Sequence, residues 1–165
     1  MNGTHHLYNK QTKLKPINHY GKSKLKAETF IKKIDCKYTI LRFGGIYGKN
    51  GPTHLGINKF IKDALTGKKI NFYGNPKELR NYIFVSDAAR MIANCVKYKI
   101  FGIFYSGGQK QSFKQMLNKI NKIIGNNEKI NYVNHNQKRS DQLIENCKVI
   151  KPISFKKSLE QIKLK

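Results

Sequence analysis

"NHYGKSKLKAE", Asn18 to Glu28, sets two chemically capable side chains, Tyr20 and Lys24, one helical turn apart. On a helix, positions i and i+4 share a face and their side chains are neighbours. An ammonium beside a phenol favours the phenolate, which makes a weak acid usable as proton donor and acceptor near neutral pH. A lysine-rich chain also produces Tyr-x-x-x-Lys by chance. The pair therefore decides nothing until the residues around it are read.

Working outward, Pro16 and Asn18 precede a helix predicted from about residue 20 to 34, with Leu25, Ile31 and Ile34 available for a core. "KYTILRFGGIYG" reads as a buried strand over 38–43, broken by Gly44 and Gly45. Ile57, Phe60, Ile61, Ala64 and Leu65 recur at the spacing of an amphipathic helix, which Gly67 stops. "KINFYG" is a short strand and "NYIFV" an extended one, after which Ser86 or Asp87 is expected to cap a helix reaching about Lys97.

"GIFYSGG" is a strand ending in a glycine turn. Ser112 and Gln115 have the capping-box spacing ahead of an apolar helix face that ends at Gly125. "KINYV" is read as the last strand, then a polar stretch, then a terminal helix in "SFKKSLEQIK". Strands separated by helices predict an α/β protein.

The 165 residues fit one domain and can bury a core. A formal charge of +24 ordinarily points to nucleic acid or an anionic surface. Only four of the 33 basic residues are arginine (Arg42, Arg80, Arg90, Arg139), and the lysines are spread from Lys10 to Lys165. Lys, Asn and Ile share A/T-rich codons, so a genome of low G+C content gives this balance without selection for nucleic acid. The surface is read as a solvated basic one, and nucleic acid is placed last among partners.

Cys36, Cys95 and Cys147 form no close pair and read as buried or half-buried thiols of a reducing compartment. His5, His6, His19, His54 and His135 lack ligand spacing, so no metal site is expected. "MNGTHHLYNK" has no apolar segment of a signal peptide, and no apolar run reaches about eighteen residues. These features predict a cytoplasmic protein with no membrane partner.

The wider register changes the weight of Tyr20 and Lys24. "NHYGKSKLKAE", in the order Y-G-x-S-K with a Glu four residues on, resembles the active-site helix of extended short-chain dehydrogenases, the NAD-dependent epimerase/dehydratase family acting on nucleotide sugars. "ILRFGGIYGKNGP" is similar to the strand and loop after that helix. "INFYGNPKELRNYIFVSDAARMIANCV" resembles the family's G-x-G-x-x-x-R-x-(F/Y)-(I/V)-x-V-x-D-x-A segment, and "FYSGGQKQSFKQMLNKI" its later strand, glycine turn and helix. The opening "NGTHHLYNKQTKLKPINHYG" is most similar to sugar reductases of the dehydrorhamnose reductase type.

The resemblance implies Tyr20 as general acid/base in hydride-transfer chemistry on a sugar. It implies Lys24 to hold the nicotinamide ribose of NAD or NADP and to favour the Tyr20 phenolate. Phe43, Gly44 and Gly45 would line the nicotinamide and sugar, glycine permitting close approach. Arg80 would grip the substrate's diphosphate with its planar fork. Arg42, following a buried strand, is expected to close a hydrogen-bond network rather than touch ligand. Asp87 is expected to be a helix cap rather than a catalytic acid.

The departures point to half of such an enzyme. No G-x-x-G-x-x-G or G-x-G-x-x-G follows a strand, and "FGGIYGKNG" runs into Pro52 rather than a helix N-terminus, a poor phosphate cradle. Only nineteen residues precede Tyr20, and Thr4 lies too close to be the family's substrate-positioning hydroxyl. The expected fold is the C-terminal part of a Rossmann-like extended short-chain dehydrogenase, its N-terminal dinucleotide-binding strands absent.

Residues 1–48 would carry the Tyr/Lys helix and following strand of the Rossmann part. Residues 49–165 would be mainly a small substrate-binding subdomain with one returning strand at about 101–108. The leading reading is a fragment of a nucleotide-sugar epimerase, dehydratase or reductase, inactive by itself. Its partners would be a complementing N-terminal half and a second copy docked through the 20–34 helix. An inactive remnant of the family comes next, and a basic nucleic-acid-binding module last. An uncovered apolar face on that helix and an unpaired strand flank would favour association.

Overall fold

The protein, seen in a computed structural model, is described for residues 7–133 and 141–164. Thr4, His5, His6, His135 and Arg139, named above, lie outside the described residues. In chain order the elements are β1 (Leu7–Tyr8), α1 (His19–Ile31), β2 (Thr39–Phe43), β3 (Gly45–Tyr47), α2 (Gly56–Leu65), β4 (Asn71–Tyr73) and β5 (Leu79–Phe84). There follow α3 (Val85–Lys97), β6 (Gly102–Ser106), β7 (Lys110–Ser112), α4 (Phe113–Ile123), β8 (Asn131–Val133), β9 (Leu143–Ile144) and α5 (Phe155–Leu164).

Pairing is mostly parallel. β2 runs beside β6 over five residues, from Thr39 opposite Gly102 to Phe43 opposite Ser106. β3 pairs parallel with β5, which in turn takes β7 antiparallel on its other side. β4 pairs with β8 and β1 with β9, both parallel. Parallel neighbours need a crossover, and α3, whose chain lies between β5 and β6, packs against β2, β3 and β5.

The core sits between helices. Ile57, Phe60 and Ile61 of α2 meet Met116, Leu117 and Ile120 of α4, with Phe155, Leu159 and Ile162 of α5 closing the group. All three helices present apolar residues at helical period, and removing those stripes from water drives the packing. Phe72 of β4 stacks against Phe60 and Phe113, bringing a strand onto the cluster. Tyr47 sits deep in it, its hydroxyl hydrogen-bonded to that of Ser158, and burial pushes the Tyr47 phenol well above its ordinary range.

Local chemistry explains the start of α4. Ser112 Oγ accepts from Gln115 N at 3.2 Å, and Gln115 Oε1 accepts from Ser112 N at 2.9 Å, the reciprocal capping box read from the sequence. The turn between β6 and β7 requires glycine. Gly108 has φ +71°, and a Cβ there would lie 2.2 Å from the Tyr82 carbonyl oxygen.

Several expectations differ from the structure. Helix α1 spans His19–Ile31 and has no fully buried residue, and Ile34 is exposed beyond its end. Leu25 and Ile31 are only half-buried, because among the described residues no element packs extensively on α1. Neither Ser86 nor Asp87 caps α3, since the helix begins at Val85 with Phe84 in the cap position. Asp87 instead accepts from Arg90 Nη2 at 2.5 Å and Ile153 N at 2.9 Å, tying α3 to the chain before α5.

"KINYV" is followed by a further strand, β9, inside what reads as a polar stretch. Cys36 is exposed, whereas Cys95 is buried and Cys147 half-buried. The strand read over 38–43 does break at Gly44, since β2 ends at Phe43, but a second strand, β3, begins at once at Gly45. No helix of the described residues is long and apolar enough to cross a membrane.

Candidate active site

Tyr20 stands in the first turn of α1, and that turn is built locally. The Asn18 side chain caps the helix by accepting from Gly21 N at 2.8 Å. A Cβ at residue 21 would come within 2.8 Å of Pro16 Cβ, so Gly21 lets the approaching chain fold tightly against the helix start. The Lys24 ammonium lies 5.5 Å from the centroid of the Tyr20 ring, the adjacency that i, i+4 spacing predicts. The Tyr20 side chain is open, at 68% exposure, so its hydroxyl is available to a ligand.

One cleft of about 1620 Å³ brings the sequence-predicted residues together. Tyr20 and Lys24 line it from α1, Phe43, Gly44 and Gly45 from the β2–β3 junction, and Arg80 from β5. Arg80 reaches the β2–β3 junction, thirty-five positions earlier in the chain than itself, because β5 pairs parallel with β3, setting Gly45 opposite Tyr82. The glycines serve packing as well as the cleft. A Cβ on Gly44 would sit 3.2 Å from both the Asn81 carbonyl oxygen and Gly107 Cα, and one on Gly45 would lie 2.7 Å from the Tyr82 ring.

The electrostatics are one-sided. Lys15, Lys24, Arg42, Lys49 and Arg80 line the cleft, and among the described lining residues the only carboxylate is Glu28. Glu28 is already engaged with Arg42. Arg42 Nε donates to Glu28 Oε1 at 2.9 Å, its Nη2 to Glu28 Oε2, and its Nη1 to the Tyr105 hydroxyl. That pairing holds the guanidinium above its ordinary range. Arg42 thus does close a hydrogen-bond network.

Arg80 is pre-positioned in the wall. Its Nη1 donates to the Leu79 carbonyl at 2.8 Å, its Nη2 to Glu78 Oε2 at 3.0 Å, and its guanidinium lies over the Phe113 ring. Burial pushes the neighbouring Tyr82 phenol up, so that hydroxyl stays protonated in the cleft wall.

The stretch through Pro52 resembles the family's loop, but no cleft role was expected for Lys49, Asn50 or His54, which also line the cleft. Asn58, fully buried in α2, pins that loop. It accepts from Gly48 N at 3.1 Å and donates from Nδ2 to the carbonyls of Ile46 and Pro52, each at 3.3 Å. The available signal was a polar residue inside the apolar run Ile57–Ile61, since a buried amide must find partners. No group of three or more His, Cys, Asp or Glu side chains able to hold a metal exists among the described residues.

Comparison with known proteins places this arrangement. UDP-glucuronate 4-epimerase of Thermodesulfobacterium geofontis is 26% identical over 125 residues, which cover 72% of this chain and 39% of that protein. The crystal structure of dTDP-glucose 4,6-dehydratase from Bacillus anthracis in complex with NAD matches with a TM-score of 0.77 at 21% identity. That match covers 99% of this chain and 56% of the other. UDP-glucuronic acid 4-epimerase from Bacillus cereus, solved in complex with UDP-glucuronic acid and NAD, gives a TM-score of 0.76 at 18% identity, over 95% of this chain and 55% of the other.

At such identities the structural likeness shows a shared Rossmann-like fold, and the chain spans about half the length of these relatives or less. Membership rests on the sequence itself, for the model of the NAD dependent epimerase/dehydratase family matches residues 2–99, the stretch holding α1, the β2–β3 junction, Arg80 and α3. Read with the cleft that those segments form, this match makes the chain a member of the NAD dependent epimerase/dehydratase family.

Proposed function

We propose that the chain carries the acid/base helix and the substrate-binding part of an NAD(P)-dependent nucleotide-sugar epimerase, dehydratase or reductase. The observation that supports this most is the convergence of Tyr20, Lys24, Phe43, Gly44, Gly45 and Arg80 on one cationic cleft. Its volume of about 1620 Å³ exceeds the ~300–1,000 Å³ of a pocket for one drug-sized ligand. A nucleotide sugar and a nicotinamide side by side would fill such a space. The excess of lysine and arginine suits a diphosphate.

The division of labour follows position. Residues 1–48 contribute the Tyr/Lys helix and the strand after it, and 49–165 mainly the substrate subdomain, with β6 returning beside β2. Tyr20, Lys24 and the backbone of 43–45 suit the nicotinamide riboside end of NAD(P), because they line one cleft and supply an open hydroxyl and an ammonium beside it. NAD(P), when bound, supplies the hydride acceptor and donor. Tyr20 takes the proton from the sugar hydroxyl that is oxidised, or returns it to the carbonyl that is reduced. Lys24 sets a positive charge beside that ring, and Arg80 holds the diphosphate so that the sugar reaches Tyr20.

These 165 residues are proposed to need a complementing segment for turnover. They contain no glycine-rich loop leading into a helix to cradle the pyrophosphate, and α1 has no fully buried residue. The reading as a remnant without activity draws on the same two observations.

The Arg80 assignment is tested by titrating UDP into the chain in a calorimeter. Arg80→Ala is expected to weaken binding about 30-fold or more, as loss of a partner from a desolvated charge pair costs roughly 2 kcal/mol or above. Arg80→Lys recovers part, since it keeps the charge and loses the fork. Equal UDP affinity in all three proteins, each with an intact fold, would overturn the assignment.

A further inference from the structure

Tyr20, Lys24 and Glu28 lie at i, i+4 and i+8, so all three project from one face of α1. Among the described residues no extensive packing fixes how that face is turned. No α1 residue is fully buried, and no element packs extensively on it. Side-chain packing, which sets the roll of most helices, is light here, with Leu25 and Ile31 only half-buried.

The strong directional link is the fork from Arg42. A guanidinium bound by two parallel hydrogen bonds to one carboxylate fixes orientation as well as distance. Both side chains are largely shielded, at 11% and 15% exposure, so water competes weakly for the pair. The far end is anchored too. The remaining Arg42 nitrogen donates to the hydroxyl of Tyr105, a residue of β6 that is 2% exposed. β6 and β2 are in turn locked in register. A continuous polar path thus runs from the β2–β6 pair, through Arg42, to the face of α1 that bears Tyr20 and Lys24.

We propose that Arg42 is a positioning residue whose fork to Glu28, braced by Tyr105, sets the roll of α1 and so aims Tyr20 and Lys24 into the cleft. It rests on the reading of Tyr20 and Lys24 as the acid/base pair. It adds that their aim is fixed electrostatically, from the strand side, rather than by a packed helix face. Arg42 directs three of its N–H donors to Glu28 and Tyr105 and is not assigned contact with substrate.

Amide hydrogen exchange on the full chain tests this without a ligand. Glu28→Gln and Arg42→Met are expected to raise exchange within α1 about tenfold or more, while the amides of α4 in the core stay unchanged. Arg42→Lys, which keeps the charge but not the fork, recovers part of the protection. Tyr105→Phe gives a smaller rise. Unchanged α1 exchange in Glu28→Gln and Arg42→Met overturns the proposal, and so does an equal rise in α1 and α4, which marks the pair as a general brace of the fold.

A second arm separates this from the parent reading. Saturation-transfer NMR with UDP-glucuronic acid and NAD as probes reports whether the cleft holds either molecule. If the unsubstituted chain takes up neither, the functional reading fails, whereas the exchange result still decides what seats α1. If it takes them up, Glu28→Gln is expected to reduce transfer to the NAD probe, which meets α1, more than to the uridine, which does not.

Discussion

Replacing Tyr20 with phenylalanine is expected to lower turnover by about a hundred- to ten-thousand-fold while leaving the fold and the affinity for nucleotide sugar unchanged. The size follows from what is removed, a single proton-carrying oxygen at the reacting carbon. The neutrality elsewhere follows from exposure. With 68% of Tyr20 open and no hydrogen bond from its hydroxyl to any described residue, phenylalanine leaves no buried partner unsatisfied. Turnover is measured with the chain joined to a segment that supplies a glycine-rich pyrophosphate loop, and binding with the chain as it is. Full activity in Tyr20→Phe would make Tyr20 a surface residue and Tyr-x-x-x-Lys a coincidence of composition.

The second large effect is on stability and lies far from the cleft. Leu117→Ala is expected to cost about 2–5 kcal/mol, because Leu117 is 0% exposed at the centre of the α2–α4–α5 cluster and its loss leaves a cavity. Against a total of about 5–15 kcal/mol for a domain, that is a large share. Phe30→Ala, on α1 and 68% exposed, is expected to change stability by less than about 0.5 kcal/mol. Urea midpoints compared at equal slope give both values. If Phe30→Ala costs as much as Leu117→Ala, α1 is packed against something and the contrast between a solid subdomain and a lightly held helix is wrong.

That contrast explains which parts of the fold were legible in the sequence. α2, α4 and α5 could be read because each buries one face in a shared core, and a buried face leaves its period in the residues. α1 has good helix formers but no fully buried face, so its reach to Ile34 and its core residues were overestimated. β1, β7 and β9 are only two or three residues long, too short for alternation to show. Asp87 sat where a cap was expected, but Phe84 already ends β5 in extended geometry and the helix starts at once, leaving the carboxylate to Arg90 and Ile153.

The candidate site was legible by resemblance more than by pattern. Tyr20 and Lys24 could be paired from spacing, because a helix fixes their distance. That Arg80 lies across the same cleft depends on the parallel pairing of β3 with β5, which no local signal encodes. The glycines at 44 and 45 were expected to admit a ligand, and their missing Cβ atoms turn out to admit Asn81, Gly107 and Tyr82. The pinning role of Asn58 went unnoticed because its buried amide is hidden in an apolar run.

Reception of a nucleotide sugar by this cleft is the central proposal. The most direct measurement is the change in backbone amide signals of the 15N-labelled chain as UDP-glucuronic acid is added. The largest shifts are expected at residues 43–45 and 79–81, around the β2–β3 junction and Arg80. Shifts centred on the lysine-lined hollow of Lys62, Lys68 and Lys69, or none at saturating ligand, would contradict it.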